Sequence, residues 1–125
     1  MSYTIIGCAM NVHQKLGPGL LESVYQRALI IELDNACLLC KEEVPIDVTY
    51  DGNNLGLGFR IEILVEDSII LELKSVSQLE KVHFKQLHTY LKLADKPLGY
   101  LINFNSDNFC IGKAIHKISN TNYKF

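Results

Sequence analysis

The sequence predicts a mixed α/β fold in the order α-α-β-β-β-α-β-β. Apolar residues recur at helical spacing in two stretches near the start and again at residues 77–94. The segments between and after them alternate with period two or form short apolar runs, as strands do. Clusters of Gly, Pro, Asn and Asp separate the segments.

Taken in order, residues 3–15 form the first predicted helix, with Ile5, Ile6, Ala9, Val12 and the following Leu16 as its apolar stripe. "GPG" at 17–19 breaks it. The second helix covers residues 20–35, with a stripe of Leu21, Val24, Ala28 and Ile31 widened by Leu29 and Leu33. In residues 41–50, Val44, Ile46, Val48 and Tyr50 alternate, which predicts a strand. Pro45 lacks a ladder donor and favours an edge or an early position in the sheet for it. "DGNN" at 51–54 is a turn. Strands follow at 57–65 and 69–74. A third helix at 77–94 presents Leu79, Val82, Leu87 and Leu91 and stops at "DKP". The apolar run 98–104 and a strand within 109–118 complete the order.

With 125 residues the chain suits a single domain, residues 1–125, with one core. Hydrophobic residues make up 48% and charged residues 21%, an ordinary globular composition. The formal net charge of -2 excludes a broad basic footprint for nucleic acid. A polyanion therefore has to meet a local patch or metal ions. No apolar run reaches the length of a membrane span, and the first residues do not read as a signal peptide. The cysteines, Cys8, Cys37, Cys40 and Cys110, read as reduced, buried thiols of a cytoplasmic protein. "CLLC" at 37–40 has metal-ligand spacing, but without a second pair it is a weak signal.

The chemistry concentrates in "FRIEILVEDSIILELKSV", residues 59–76. Alternation puts Glu72 and Lys74 on one face, with Ile69, Leu71 and Leu73 on the other. In the preceding strand it groups Arg60, Glu62 and Leu64 against Phe59, Ile61, Ile63 and Val65. A turn centred on Asp67 sets Glu62 opposite Glu72, with Cβ atoms roughly 5 Å apart. Carboxylates that close repel unless a cation or a proton lies between them. Oxygen ligands on adjacent strands suit Mg²⁺, which takes one or two carboxylates and keeps several waters. The competing reading is a solvated strand face in which Lys74 pairs with Glu62.

"GLLESVY" at 19–25 has the form G-x-x-E-x-x-Y, and "VHQKLGPG", "FRIEILV", "IILELKSV", "HFKQLHTYLK" and "GYLINF" accompany it. Together, over about residues 5–118, these resemble the GxxExxY protein family of the PD-(D/E)XK nuclease superfamily. The resemblance implies a restriction-endonuclease-like core, a central mixed sheet flanked by helices, with a metal-dependent phosphodiesterase site at the hairpin. The superfamily's acidic strand residue matches Glu62, and its (D/E)-x-K matches Glu72-Leu73-Lys74. The acidic residue of an early helix matches Glu22, and the Gln of some branches matches Gln86. Tyr90 follows one turn later on the same helix face. Two positions depart from the pattern. Glu62 stands where Asp is usual, which carries the carboxylate one methylene further from the strand, and Ile61 stands where Pro is common.

Other residues carry plainer readings. Glu22 lies in the first turn of its helix, where the dipole favours an acid without any ligand. Tyr25 reads as a partly buried core residue with a satisfied hydroxyl, and Gly17 and Gly19 as a tight turn. His13, His83, His88 and His116 lie at no ligand spacing. Arg60 and Lys85 are candidate phosphate contacts.

The leading expectation is a nuclease acting on nucleic acid, DNA rather than RNA, with Glu62, Glu72 and the Leu73 carbonyl holding Mg²⁺ or Mn²⁺. Lys74 positions a water or balances phosphate charge, with Glu22 and Gln86 completing the site. The alternative is a catalytically impaired module of the same fold that binds or oligomerises. A homodimer or a partner protein would supply the reach that so short a chain lacks.

Overall fold

The structure is a computed structural model that describes residues 1–56 and 58–123. Its elements are α1 (Ser2–Leu16), α2 (Glu22–Asn35), β1 (Cys40–Ile46), β2 (Thr49–Tyr50), β3 (Asn53–Asn54), β4 (Phe59–Val65), β5 (Ile69–Lys74), α3 (Lys81–Ala94), β6 (Leu98–Asn103) and β7 (Ile115–Ser119). The expected order is roughly matched: the strand expected at 41–50 ends at Ile46, and Thr49 and Tyr50 instead form a separate two-stranded hairpin, β2–β3, around the "DGNN" turn. Leu57, the first residue of the strand expected at 57–65, lies outside the described residues.

The main sheet runs β1-β4-β5-β6-β7. β5 and β6 are parallel, and the other neighbours are antiparallel. Parallel neighbours need a crossover, which α3 supplies. β1 lies at the sheet edge, one of the placements Pro45 favours, with Pro45 facing Arg60. The result is a five-stranded mixed sheet flanked by helices, a restriction-endonuclease-like arrangement.

Each sheet face buries its own core. On one side Ile5, Cys8, Ala9 and Val12 of α1 and Tyr25, Leu29 and Leu33 of α2 pack with Ile63, Val65, Leu71, Leu73, Tyr100 and Ile102. On the other, Leu87, Tyr90 and Leu91 of α3 pack with Ile61, Leu64, Ile70, Leu101 and Ile118. At Gly99 the helix approaches so closely that an added Cβ would lie 2.9 Å from Leu87 Cδ1 and 3.1 Å from the Ile70 carbonyl oxygen.

Three details differ from the sequence reading. In α2 the buried stripe is Tyr25, Leu29, Ile30 and Leu33, while Leu21, Val24 and Ile31 are exposed. Both stripes have helical period, and the stacking of Tyr25 on Phe104, ring centroids 4.6 Å apart, accompanies the one the fold uses. Val82 of α3 is exposed, and the helix starts at Lys81 rather than Ser77, because the Glu80 backbone N–H donates to His83 Nδ1 at 2.9 Å in a capping box. In β4, Ile61 packs in the α3-side core, apart from Ile63 and Val65. The alternation therefore resets at Glu62.

Candidate active site

The β4–β5 ladder pairs Val65 with Ile69, Leu64 with Ile70 and Ile63 with Leu71, and goes no further. Continued by one step, that register sets Glu62 against Glu72. There the strands part, and the Glu62 side chain takes the place of a backbone partner. Its Oε2 accepts the Leu73 N–H at 2.9 Å. β5 still pairs with β6 through Glu72↔Leu101 and Lys74↔Asn103. The fork between β4 and β5 is thus open at the end where Glu62, Glu72 and Lys74 meet.

Glu72 is only 3% exposed, and its Oε1 has no hydrogen-bond partner. Its Oε2 lies 3.8 Å from Lys74 Nζ. Burial, then the charge of Glu62, pushes the Glu72 carboxyl up to about 8, against the opposing pull of Lys74. Burial also raises Glu62, to about 6, while the Leu73 N–H and Lys74 hold it down. A buried acceptor without a donor is costly unless a proton or a cation fills the place.

Two helices reach the fork. Glu22 is the first residue of α2, half-buried, and its charge raises both carboxyls. The loop before it is pinned from two sides. The Tyr25 hydroxyl donates to the Gly17 carbonyl at 2.6 Å and accepts the Leu20 N–H at 3.1 Å. Ser75 Oγ, one residue beyond Lys74, donates to the Leu20 carbonyl at 2.6 Å. Gly19, at φ 96°, provides a backbone conformation that side chains resist. The G-x-x-E-x-x-Y spacing therefore has a local meaning: a left-handed glycine, an acid at the helix start, and a tyrosine one turn on that locks the loop. Tyr25 is fully buried rather than partly buried.

From α3, Gln86 Nε2 donates to the Tyr90 hydroxyl at 2.9 Å. Tyr90 is raised by burial first; the hydrogen bond with Gln86 opposes this, and the charge of Glu72 adds to it. Tyr90 accepts from Gln86 and keeps its own proton to donate. Arg60 and Lys85 are exposed. Elsewhere, His83 is occupied in the α3 cap and His13 stacks on Phe109. The four cysteines are free thiols, but only Cys8 is buried as expected: Cys37 is exposed and Cys40 and Cys110 are half-buried.

Sequence reasoning missed Glu43 and Gln26. Gln26 Nε2 lies 3.1 Å from Glu43 Oε1 and 3.3 Å from the Glu62 carbonyl oxygen. Gln26 follows Glu22 by one helical turn, so its spacing was a signal. Glu43 gave none, since strand alternation alone points it away from its neighbours Glu42 and Val44.

The structure thus brings together a parted strand pair, an acid on one strand, an acid-x-lysine on the next and an acid at a helix start. The sequence matches the profile of the PD-(D/E)XK nuclease superfamily over residues 1–115, and the chain belongs to that superfamily. No match was found among curated proteins or among solved structures.

Members of this superfamily are generally dependent on divalent metal. Among the described residues, no three His, Cys, Asp or Glu side chains are grouped to hold a metal ion. A cation that keeps most of its waters does not need three. The buried, unpartnered Glu72 Oε1 beside the Glu62 carboxylate fits such an ion.

Proposed function

We propose that the chain is a metal-dependent nuclease of the GxxExxY branch, hydrolysing phosphodiester bonds, with DNA ahead of RNA as substrate. The observation that carries this is the enclosed Glu72 carboxylate, unpartnered at Oε1, at the fork beside Glu62 and Lys74. Superfamily membership supports phosphodiester chemistry in general.

In this reading Glu62, Glu72 and the Leu73 carbonyl would hold Mg²⁺ or Mn²⁺. When bound, the ion supplies Lewis-acid charge to the phosphate and lowers the pKa of a bound water. Lys74, held beside Glu72, orients the water and balances the charge that develops on phosphate oxygens. Glu22 approaches from α2 and accepts from waters at the fork. Gln86 donates to the Tyr90 hydroxyl and so leaves the proton of that hydroxyl available for a substrate oxygen. The apolar walls around Glu72 keep the fork in a low dielectric, where each charge acts more strongly.

The second reading is a catalytically impaired module that binds without cutting. The engagement of Glu62 Oε2 with the Leu73 N–H favours it, because one oxygen of the longer side chain is already committed.

The deciding assay uses purified protein with Mn²⁺, Mg²⁺ or chelator on single- and double-stranded DNA and RNA, alongside calorimetric metal titration. We expect cleavage with Mn²⁺ at least equal to that with Mg²⁺, since the displaced Glu62 carboxylate disturbs the strict octahedron Mg²⁺ demands. Glu72→Ala should lose metal binding and cleavage together. Lys74→Ala should lose cleavage and keep metal affinity, because an ammonium is no ligand. Glu62→Asp should keep or raise activity. Cleavage that survives Glu72→Ala identifies a contaminant. Absence of both cleavage and metal binding moves the protein to the second reading.

A further inference from the structure

β1 and β4 change face at the same level. Cys40 pairs with Val65 and Glu42 with Ile63, on the side of α1 and α2. Val44 pairs with Ile61 and Ile46 with Phe59, on the side of α3. The pair between them, Glu43 and Glu62, is absent from the ladder. Glu43 has φ 50° and, among the described residues, is the one non-glycine inside a strand with positive φ. Such a conformation persists only where its surroundings over-determine it. Gln26 supplies that constraint. Its amide has two hydrogens, which serve the Glu43 carboxylate and the Glu62 carbonyl together. Next to it Arg27 Nη1 holds Glu42 Oε1 at 2.7 Å, so α2 is fixed to β1 at consecutive residues.

We propose that Gln26 and Glu43 form a positioning latch that turns the Glu62 carboxylate into the β4–β5 fork. Gln26 holds the Glu62 backbone from the α2 side. Glu43, in its left-handed conformation, interrupts the ladder and frees Glu62 from strand alternation. Glu62 then reaches the Leu73 N–H and stands beside Glu72. Neither latch residue touches metal or phosphate in this scheme. The inference rests on the proposed function for its consequence, but the latch itself is readable in the metal-free protein.

Two measurements test it. Hydrogen exchange of the Leu73 amide, in chelator, reports whether Glu62 still caps it. Gln26→Leu and Glu43→Ala should each raise Leu73 exchange while the other β5 amides keep theirs, and the double variant should add nothing further. Mn²⁺ titration should show a loss of about tenfold or more in each, as for other partners that orient metal ligands. Glu43→Gln keeps an oxygen acceptor for Gln26 and should restore both readouts, which separates a hydrogen bond from a charge. Unchanged Leu73 exchange in both variants overturns the latch, and so does a Glu43→Gln protein as impaired as Glu43→Ala. If the wild type binds no Mn²⁺, the proposed function fails while Leu73 exchange alone still decides the latch. If Gln26→Leu does not fold, Glu43→Ala against Glu43→Gln gives the same decision.

Discussion

Glu72 is the residue at which folding and chemistry conflict. Burying its carboxylate without a partner for Oε1 favours the protonated form. Because its pKa rises from an ordinary 4.5 to about 8, the folded state holds its proton where the unfolded state releases it. Metal-free stability is therefore highest below about pH 4.5 as far as this group is concerned, and falls as pH rises towards 8. Glu62 adds to the same slope between 4.5 and about 6. Thermal unfolding in chelator across that range should show the decline, and Glu72→Gln should flatten most of it. Tyr25 carries a different load. Tyr25→Phe keeps the stack on Phe104 but orphans the Leu20 N–H and the Gly17 carbonyl. A loss of about 1–3 kcal/mol in denaturant unfolding is expected. The carboxylates and lysine of the hairpin were legible because charged residues stand out in an apolar run. Glu43 was not, since its role comes from a backbone conformation that no local pattern announces.

At the scale of elements, periodicity found each helix and each longer strand but did not choose faces reliably. α2 offered two apolar stripes, and contact with Phe104 and the α1 side of the sheet selected Tyr25, Leu29 and Leu33. β4 was read as one regular strand, whereas Ile61 and Ile63 serve opposite cores. The interruption falls at Glu62, where the β4–β5 ladder ends. The β5–α3–β6 crossover shows the opposite limit, where packing leaves no freedom. Gly99 lies under Leu87, and a methyl group there must displace that side chain and crowd the Ile70 carbonyl. Gly99→Ala should cost about 1–3 kcal/mol by overpacking, measured as a lower denaturant midpoint. Metal affinity should change less, because Leu87 and the Ile70 carbonyl take the added methyl while Glu72 lies two residues further along β5.

For the whole molecule, the net charge of -2 and an acidic fork work against a polyanion until cations arrive. Binding of a labelled oligonucleotide, followed by anisotropy, should be weak in chelator and strengthen with Ca²⁺ as a non-cutting substitute. Glu72→Gln should blunt that gain. Strong binding in chelator would mean that surface cations such as Arg60 and Lys85 carry the interaction instead.

The sequence by itself determined the three helices and the five longer strands in outline, the mixed α/β class and the meeting of Glu62 with Glu72-x-Lys74 near one turn. These follow from period, from breakers and from the two-residue repeat of strands, all of which are local. Tertiary structure alone decided which stripe of α2 is buried, where β4 changes face, and that Gln26 and Glu43 stand behind Glu62. Those outcomes depend on contacts between residues far apart in the chain, and several local arrangements are compatible with the same apolar pattern until packing selects one.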